Sequence, residues 1–144
     1  MESSNVALDR VRDELFAKYG DESFPILEGW YQEEVNRTSP DCARPDKFDT
    51  NLNLAAMGLA GEAGEVVDLI KKHQHHGVEL DRTKLKREAG DVLWYLQYLC
   101  RVMDWSLDDI ALENVYKLRL RFPNGFNTAD SISRKDEAAP APKA

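Results

Sequence analysis

The amino-acid sequence predicts an all-α protein. Apolar residues recur along most of the chain with the period of about 3.6 residues that is typical of an amphipathic helix. No segment of useful length alternates apolar and polar residues as a half-buried strand does. Residues that commonly end helices, such as Gly77 and Pro123, follow the periodic segments.

Two helices are predicted in the N-terminal third of the chain. The first runs from about Asn5 to Tyr19, and Gly20 ends it. The second runs from about Pro25 to Arg37, because proline is well tolerated in the first turn of a helix. Residues 38 to 49 are predicted to form a loop, since they include two prolines and three aspartates.

Three further helices are predicted after this loop. The third covers roughly Thr50 to His75, and the fourth runs from Asp81, a suitable N-cap, to Met103. The fifth begins at Ser106, and Pro123 and Gly125 end it.

Length and composition limit the domain organisation. The chain has 144 residues, of which 42% are hydrophobic, so it supplies one modest core. We therefore expect one domain over residues 1–126. Residues 127–144 contain almost no large apolar side chains, so a disordered tail is predicted there.

Charge and cysteine content restrict the possible partners. The formal net charge is -7 and the isoelectric point is near 5.0, so a nucleic acid backbone would be repelled. No apolar run approaches the roughly 20 residues needed to span a bilayer, and no signal sequence is recognisable. Two cysteines form no disulfide framework and fit a reducing compartment. A cytoplasmic protein without nucleic acid or membrane partners is expected.

Two short segments place acidic residues in the same arrangement. GEAGEVV contains Glu62 and Glu65, and REAGDVL contains Glu88 and Asp91. The two acids of each pair lie about 60° apart around their helix, beside apolar residues that are expected to be buried. The sequence midpoints of the Glu62/Asp91 and Glu65/Glu88 combinations coincide at the predicted turn, so an antiparallel hairpin would bring all four acids together.

Four carboxylates in a site of low dielectric cannot all stay ionised unaided, because desolvation and mutual repulsion raise their pKa values. A divalent cation resolves this conflict. An all-oxygen set of ligands favours Mg²⁺, or Mn²⁺ as a substitute, over zinc. The competing interpretation is that both pairs lie on solvated helix faces.

Other residues are candidates for binding a polyphosphate. Asn114 is predicted on the apolar face of the fifth helix, with Lys117 and Arg121 following at helical spacing. Lys72 lies two turns after Glu65, and Trp94 borders the acidic face of the fourth helix, where a base could stack. The alternatives are a core asparagine with its bonds satisfied, surface cations and a core aromatic.

Three segments together characterise the second half of the chain, namely GLAGEAGEVVDLIKK, REAGDVLWYL and NVYKLRLRFPNGF. They resemble segments of the MazG-like nucleotide pyrophosphohydrolases of the all-α NTP pyrophosphatase superfamily. The similarity covers about residues 47 to 126, and E-x-x-E followed by E-x-x-D is its most specific part.

The resemblance implies a four-helix-bundle core of the all-α NTP pyrophosphatase type, here with an additional N-terminal helix. It implies Mg²⁺-dependent hydrolysis of a nucleoside triphosphate between the α and β phosphates, and a homodimer or homotetramer. The residues that it implies for metal and phosphate binding are Glu62, Glu65, Glu88, Asp91, Asn114 and Lys117.

One position departs from the family pattern. Many members have a further glutamate directly before the first E-x-x-E, where this chain has Gly61. Either Glu62 or Glu65 would then orient the attacking water while helping to hold the metal, or a metal-bound hydroxide would attack with little help from a side chain.

Two further predictions concern alternatives and assembly. A structural metal-binding bundle without catalysis is the main alternative to the enzyme, whereas a ferritin-like redox bundle would need Glu-x-x-His pairs that are absent here.

The residues of the third helix are small or apolar on almost all of its faces, including Ala56, Ala60 and Gly64, so self-association is expected.

Overall fold

The computed structural model describes residues 4–19, 29–40 and 45–138 of the chain. These residues contain no strand, which confirms the all-α prediction. None of their helices combines the length and the apolar composition that crossing a bilayer requires. The helices are α1 (Ser4–Tyr19), α2 (Trp30–Thr38), α3 (Phe48–His76), α4 (Arg82–Met103), α5 (Leu107–Arg121) and α6 (Thr128–Ser133).

The described residues divide into two compact units. The hairpin unit comprises residues 29–106 and therefore contains α2, α3 and α4. The terminal unit comprises α1 and the described residues from Leu107 onward. The sequence predicts a single domain over residues 1–126, whereas the contacts of α5 lie mainly with α1 and with a 3-10 helix at Lys135–Ala138.

Helices α3 and α4 form the antiparallel hairpin that the sequence predicts, and they make the most extensive contact between helices in the described residues. Gly77 ends α3 in the left-handed conformation, at φ 68°, which glycine adopts without steric cost. Asp81 caps α4, because its carboxylate accepts a hydrogen bond of 2.9 Å from the backbone N–H of Lys84. The predicted boundaries of this hairpin are therefore confirmed to within two residues.

Gly58 fixes the close approach of the two hairpin helices. The ring of Tyr95 occupies the space that a side chain at Gly58 would need, since an added Cβ would lie 2.0 Å from a ring carbon of Tyr95. Gly58 and Tyr95 have the same sequence midpoint as Glu62 and Asp91, so the observed register agrees with the symmetric hairpin. Close packing of the two helices therefore accounts for a glycine at this position.

Helix α2 packs on the hairpin and completes the core of the hairpin unit. That core is formed by Val35, Ala55 and Tyr98, which are almost fully inaccessible to solvent. The indole N–H of Trp94 donates a hydrogen bond of 2.8 Å to the hydroxyl of Thr38 at the end of α2. The predicted start of this helix at Pro25 lies outside the described residues.

The terminal unit contains part of the segment that is predicted to be a disordered tail, residues 127–144, of which residues 139–144 lie outside the described residues. Residues 128–133 form α6, which Asn127 caps by accepting a hydrogen bond of 2.8 Å from the backbone of Asp130. The 3-10 helix that follows places Asp136 against Arg121 of α5, where the two side chains form a two-pronged ion pair at 2.6 Å. This segment has few apolar residues, but the ion pair of Arg121 with the largely buried Asp136 connects it to α5. Composition alone does not reveal such a contact.

The Gly58 contact predicts a strong effect of substitution. We expect Gly58→Ala to destabilise the protein by about 1–2 kcal/mol, because overpacking against the Tyr95 ring costs about 1–3 kcal/mol and exceeds the gain in helix propensity of about 1 kcal/mol. Chemical denaturation measures this change. Gly90→Ala is the matched control: an added Cβ there meets no atom within 4 Å, so a small stabilisation is expected. Equal effects of the two substitutions would contradict the packing role of Gly58.

The Arg121–Asp136 pair predicts a pH-dependent loss of stability. Hydrogen bonds donated by Arg121 lower the pKa of Asp136 in the folded protein below its ordinary value of 3.8. The ionised carboxylate therefore stabilises the folded state above pH 3.8, and this stabilisation is lost as pH falls through the lowered pKa. Thermal unfolding should show a lower melting temperature for Asp136→Asn at pH 7, with the difference from wild type shrinking near pH 3. Glu137→Gln, at an exposed neighbour, should change little. If the melting temperature of Asp136→Asn were lower than that of wild type by the same amount at every pH, an ionic contribution of this pair to stability would be excluded.

Candidate metal centre

Three carboxylates of the hairpin unit lie close together. Glu62 of α3 and Glu88 and Asp91 of α4 each offer a carboxylate oxygen, and these three oxygens lie within 4.8 Å of one another. Glu62 and Glu88 are half-buried, whereas Asp91 is exposed. The register that places Gly58 against Tyr95 also places these acids together, since Glu62 and Asp91 lie about one turn, and Glu88 about two turns, from one of those two residues.

The cluster holds concentrated negative charge. Partial burial, followed by the charges of Asp91, Glu88 and Glu65, raises the pKa of Glu62 above its ordinary value of 4.5. Among the residues that the structure describes, no lysine, arginine or histidine forms an ion pair with Glu62, Glu88 or Asp91. Repulsion between the carboxylates is therefore not balanced by a cation of the described chain.

The donor set fits a hard divalent cation. The three ligand atoms are carboxylate oxygens from two facing helices, and Mg²⁺ and Mn²⁺ prefer oxygen ligands. Mg²⁺ commonly binds through a few carboxylates and keeps further positions for water and substrate phosphates. The three side chains therefore match both the charge and the ligand type of such an ion.

Glu65 is close to the cluster but is not one of these three ligands. It is exposed on α3, and its charge contributes to the raised pKa of Glu62. An advance of three residues turns the helix by about 60°, so Glu65 lies at the solvent edge of the face that buries Glu62. The sequence predicts four converging acids, and the structure brings together three of them with Glu65 beside them.

Two candidates for substrate contact in the hairpin unit already have partners in the protein. The ammonium of Lys72 lies 2.5 Å from a carboxylate oxygen of Asp68, which also pairs with Lys71. Hydrogen bonds from both lysines lower the pKa of Asp68 to about 2. Trp94 stacks on Tyr98 with ring centroids 5.4 Å apart, as expected of a core aromatic.

The candidates on α5 belong to the terminal unit. The sequence predicts that Asn114 points inward, but it is exposed, as is Lys117. Leu112 is buried and Arg119 donates to Glu14 of α1 at 2.6 Å, so α5 turns a different face toward its neighbour. That Asn114 and Lys117 lie beside the carboxylates stays a prediction of the family resemblance.

Arg121 is committed to the protein itself. Its guanidinium donates both hydrogen bonds to Asp136, and only 17% of its side chain is exposed. A bidentate pair of this kind leaves little of the guanidinium for a phosphate. The structure thus gives Arg121 a role in holding residues 135–138 on α5.

Tyr31 is a neighbour of the cluster that the sequence reasoning missed. It packs against the core of the hairpin unit, and burial followed by the charge of Asp91 raises the pKa of its phenol. The sequence feature that could have indicated Tyr31 is its distance of four residues, about one helical turn, from the apolar Val35 on α2. That spacing predicts an inward-facing ring but does not indicate which helix the hydroxyl approaches.

Comparisons with known proteins agree with this all-α fold. Residues 50–126 match the model of the MazG nucleotide pyrophosphohydrolase domain. A relative described as Gene 37 protein, from Mycobacterium phage L5, is 37% identical over 78 residues, which are 51% of this chain and 68% of that protein. No solved structure matches the chain.

The matched region contains α3, α4 and α5 almost completely, and with them all four acids of the two repeated segments. The chain belongs to the MazG nucleotide pyrophosphohydrolase domain family. The resemblance that was first seen in the three sequence segments is confirmed.

The raised pKa of Glu62 predicts the pH dependence of the metal-free protein. A carboxyl group whose pKa is raised by folding favours the folded state below its unfolded pKa and loses that contribution as pH rises through the folded value. In the presence of EDTA, we therefore expect Glu62→Gln to melt at a higher temperature than wild type at pH 7.5, and at a similar temperature near pH 4.

If the cluster is a Mg²⁺ site, addition of Mg²⁺ should raise the melting temperature of wild type more than that of Glu62→Gln, because a ligand of the folded state stabilises it. Glu79→Gln, at an exposed position in the loop before α4, serves as the control. A difference between wild type and Glu62→Gln that is constant with pH would show that Glu62 does not face the other carboxylates.

Proposed function

We propose that the protein is a Mg²⁺-dependent nucleoside triphosphate pyrophosphohydrolase that converts a ribo- or deoxyribonucleoside triphosphate to the monophosphate and pyrophosphate. The observation that supports this proposal most strongly is the cluster of Glu62, Glu88 and Asp91 within the region that matches the family. Carboxylates without a cation partner are suited to recruiting a metal that also binds phosphate oxygens.

The side chains of the hairpin have distinct roles in this proposal. Glu62, Glu88 and Asp91 would hold Mg²⁺, which would neutralise phosphate charge and polarise the phosphorus toward attack by water. Glu65 is exposed at the edge of the cluster, where its carboxylate accepts a proton from the attacking water as general base.

Substrate phosphates need further positive charge and hydrogen-bond donors. Asn114 and Lys117 are exposed on α5, and we assign them to the triphosphate because the family pattern extends to them. Arg121 is left out of this assignment, since Asp136 already engages its guanidinium. Removal of aberrant nucleotides or control of a deoxynucleotide pool, in the cytoplasm as the sequence predicts, is the proposed cellular role.

The proposed reaction predicts a clear loss of activity. We expect Asp91→Asn and Glu88→Gln each to lower Mg²⁺-dependent release of pyrophosphate by at least about 100-fold, because each removes a charged metal ligand. Pyrophosphate release is measured with a panel of canonical, deoxy and modified triphosphates, which also identifies the preferred substrate. As a control, Glu79→Gln should retain wild-type turnover. Turnover by Asp91→Asn at the wild-type rate would remove Asp91 from the mechanism.

A structural metal site is the second candidate function. The three carboxylates come from two helices, so a bound ion would also hold α3 and α4 together. In that case EDTA should unfold the protein, and no triphosphate of the panel should be consumed. Pyrophosphate release together with a folded protein in EDTA supports the enzyme and excludes this alternative.

We further propose that the chain assembles as a homodimer or homotetramer. The outer face of α3 exposes Met57, Ala60, Gly64 and Val67, and the side chains of Met57 and Val67 are 68% and 63% exposed. A second copy would remove this apolar surface from water.

The assembly predicts that Val67→Asp dissociates the oligomer, because a carboxylate on each copy would then be buried in the interface. Sedimentation velocity at micromolar concentration compares this variant with wild type. A wild-type protein that sediments as a monomer would exclude the proposed assembly.

A further inference from the structure

The ion pair between Arg121 and Asp136 joins α5 to the C-terminal segment, residues 127–138. Nε and Nη2 of the guanidinium each donate a hydrogen bond of 2.6 Å to a different oxygen of the carboxylate. The side chains of Arg121 and Asp136 are 17% and 3% exposed, so water is largely excluded from the pair. A guanidinium makes the same two-pronged contact with a phosphate group. The carboxylate of Asp136 therefore occupies the place at which Arg121 would hold two phosphate oxygens.

The guanidinium of Arg121 is also positioned by contacts that do not involve Asp136. Its central carbon lies 5.9 Å from the centroid of the Phe122 ring, which is the range of a cation–π interaction. The ring of Phe122 in turn contacts that of Phe126, with centroids 5.4 Å apart. Because these aromatic contacts precede the C-terminal segment in the chain, they hold the guanidinium in place when the carboxylate is withdrawn.

Lys117 supplies a second positive charge beside Arg121. Residues four apart on a helix are neighbours on one face, so the two side chains lie one turn apart on α5. Lys117 is exposed, and it forms no ion pair within the part of the chain that the structure describes. Two cations one turn apart suit a diphosphate group, because such a group carries negative charge on both of its phosphates.

The C-terminal segment has little buried surface apart from Asp136. None of the six residues of α6 is buried, and Asp136 is the one buried residue within the described range 127–137. The other two acids of the segment pair with bases of the segment itself, as Lys135–Asp130 and Arg134–Glu137. Elements that bury few apolar groups open locally at a low cost in free energy. The segment can therefore leave α5 without disturbing the rest of the terminal unit.

We propose that the C-terminal segment is a displaceable cover over an anion site on α5, in which Asp136 takes the place of a diphosphate group that Arg121 and Lys117 bind. The contact is autoinhibitory, because a ligand binds with an affinity reduced by the fraction of molecules in which the segment is open. The inference rests on the assignment of Lys117 to phosphate binding in the proposed function, but not on hydrolysis. A nucleoside triphosphate and inorganic pyrophosphate share the group that the site recognises.

Binding of inorganic pyrophosphate to the metal-free full-length protein tests this proposal, with the NMR signal of the Arg121 Nε–H as the readout. Asp136→Asn keeps the shape of the side chain and removes its charge, so we expect at least about fivefold tighter binding than in wild type. Glu137→Gln is the matched control, since it removes the same charge from an exposed neighbour that pairs with Arg134. It should bind pyrophosphate as wild type does.

Two outcomes of this titration would overturn the proposal. The first is unchanged affinity in Asp136→Asn. The second is an equal gain in Asp136→Asn and Glu137→Gln, which would show a general effect of net charge. Destabilisation by Asp136→Asn cannot produce the expected result, because unfolded molecules would lower the apparent affinity.

A second substitution in the Asp136→Asn background locates the ligand. Arg121→Gln should abolish the gain in affinity, whereas Arg119→Gln, which removes an equal charge from the same helix, should preserve most of it. A gain that survives Arg121→Gln would overturn the proposal.

Triphosphate hydrolysis separates the cover from the proposed enzyme. The expected gain in pyrophosphate affinity, in a protein that hydrolyses no triphosphate, would support the cover and count against the enzyme. Hydrolysis with the same KM in wild type and Asp136→Asn would overturn the cover alone.

Discussion

Repulsion between carboxylates on facing helices is the constraint on which the rest of this structure depends. The α3–α4 hairpin places Glu62, Glu88 and Asp91 with their oxygens within 4.8 Å of one another, and the described chain supplies no ion pair to balance them. Such a cluster is a cost to folding unless protons or a cation neutralise it. A protein that keeps these charges together is therefore less stable than it would be with the charges neutralised.

The close packing that creates this cluster depends on small side chains. Gly58 lets α3 approach the ring of Tyr95, and the hairpin register that results aligns the acids one to two turns away. Helix α2 then covers the other side of α4, where Val35 enters the core and Trp94 bonds to Thr38. The rigid part of the hairpin unit thus lies directly beside its charged part, as preorganised binding requires.

Helical periodicity and the turn at Gly77 were sufficient to predict the hairpin, its register and three of the clustered acids. They did not predict the exposure of Asn114, because a periodic pattern does not specify which face of α5 meets α1. Composition predicts a disordered tail, and it does not detect the largely buried ion pair between Arg121 and Asp136 within the described part of that segment. Contacts between residues distant in sequence, including that of Tyr31 with the hairpin core, likewise leave no local signal.

The central claim is that the three carboxylates form one divalent-cation site. The most direct measurement is the anomalous scattering of Mn²⁺ in crystals of the protein grown with that ion. The account predicts a strong anomalous peak at bonding distance, about 2.1–2.3 Å, from oxygens of Glu62, Glu88 and Asp91. A peak at other residues only, or carboxylates that turn apart with no ion between them, would contradict it.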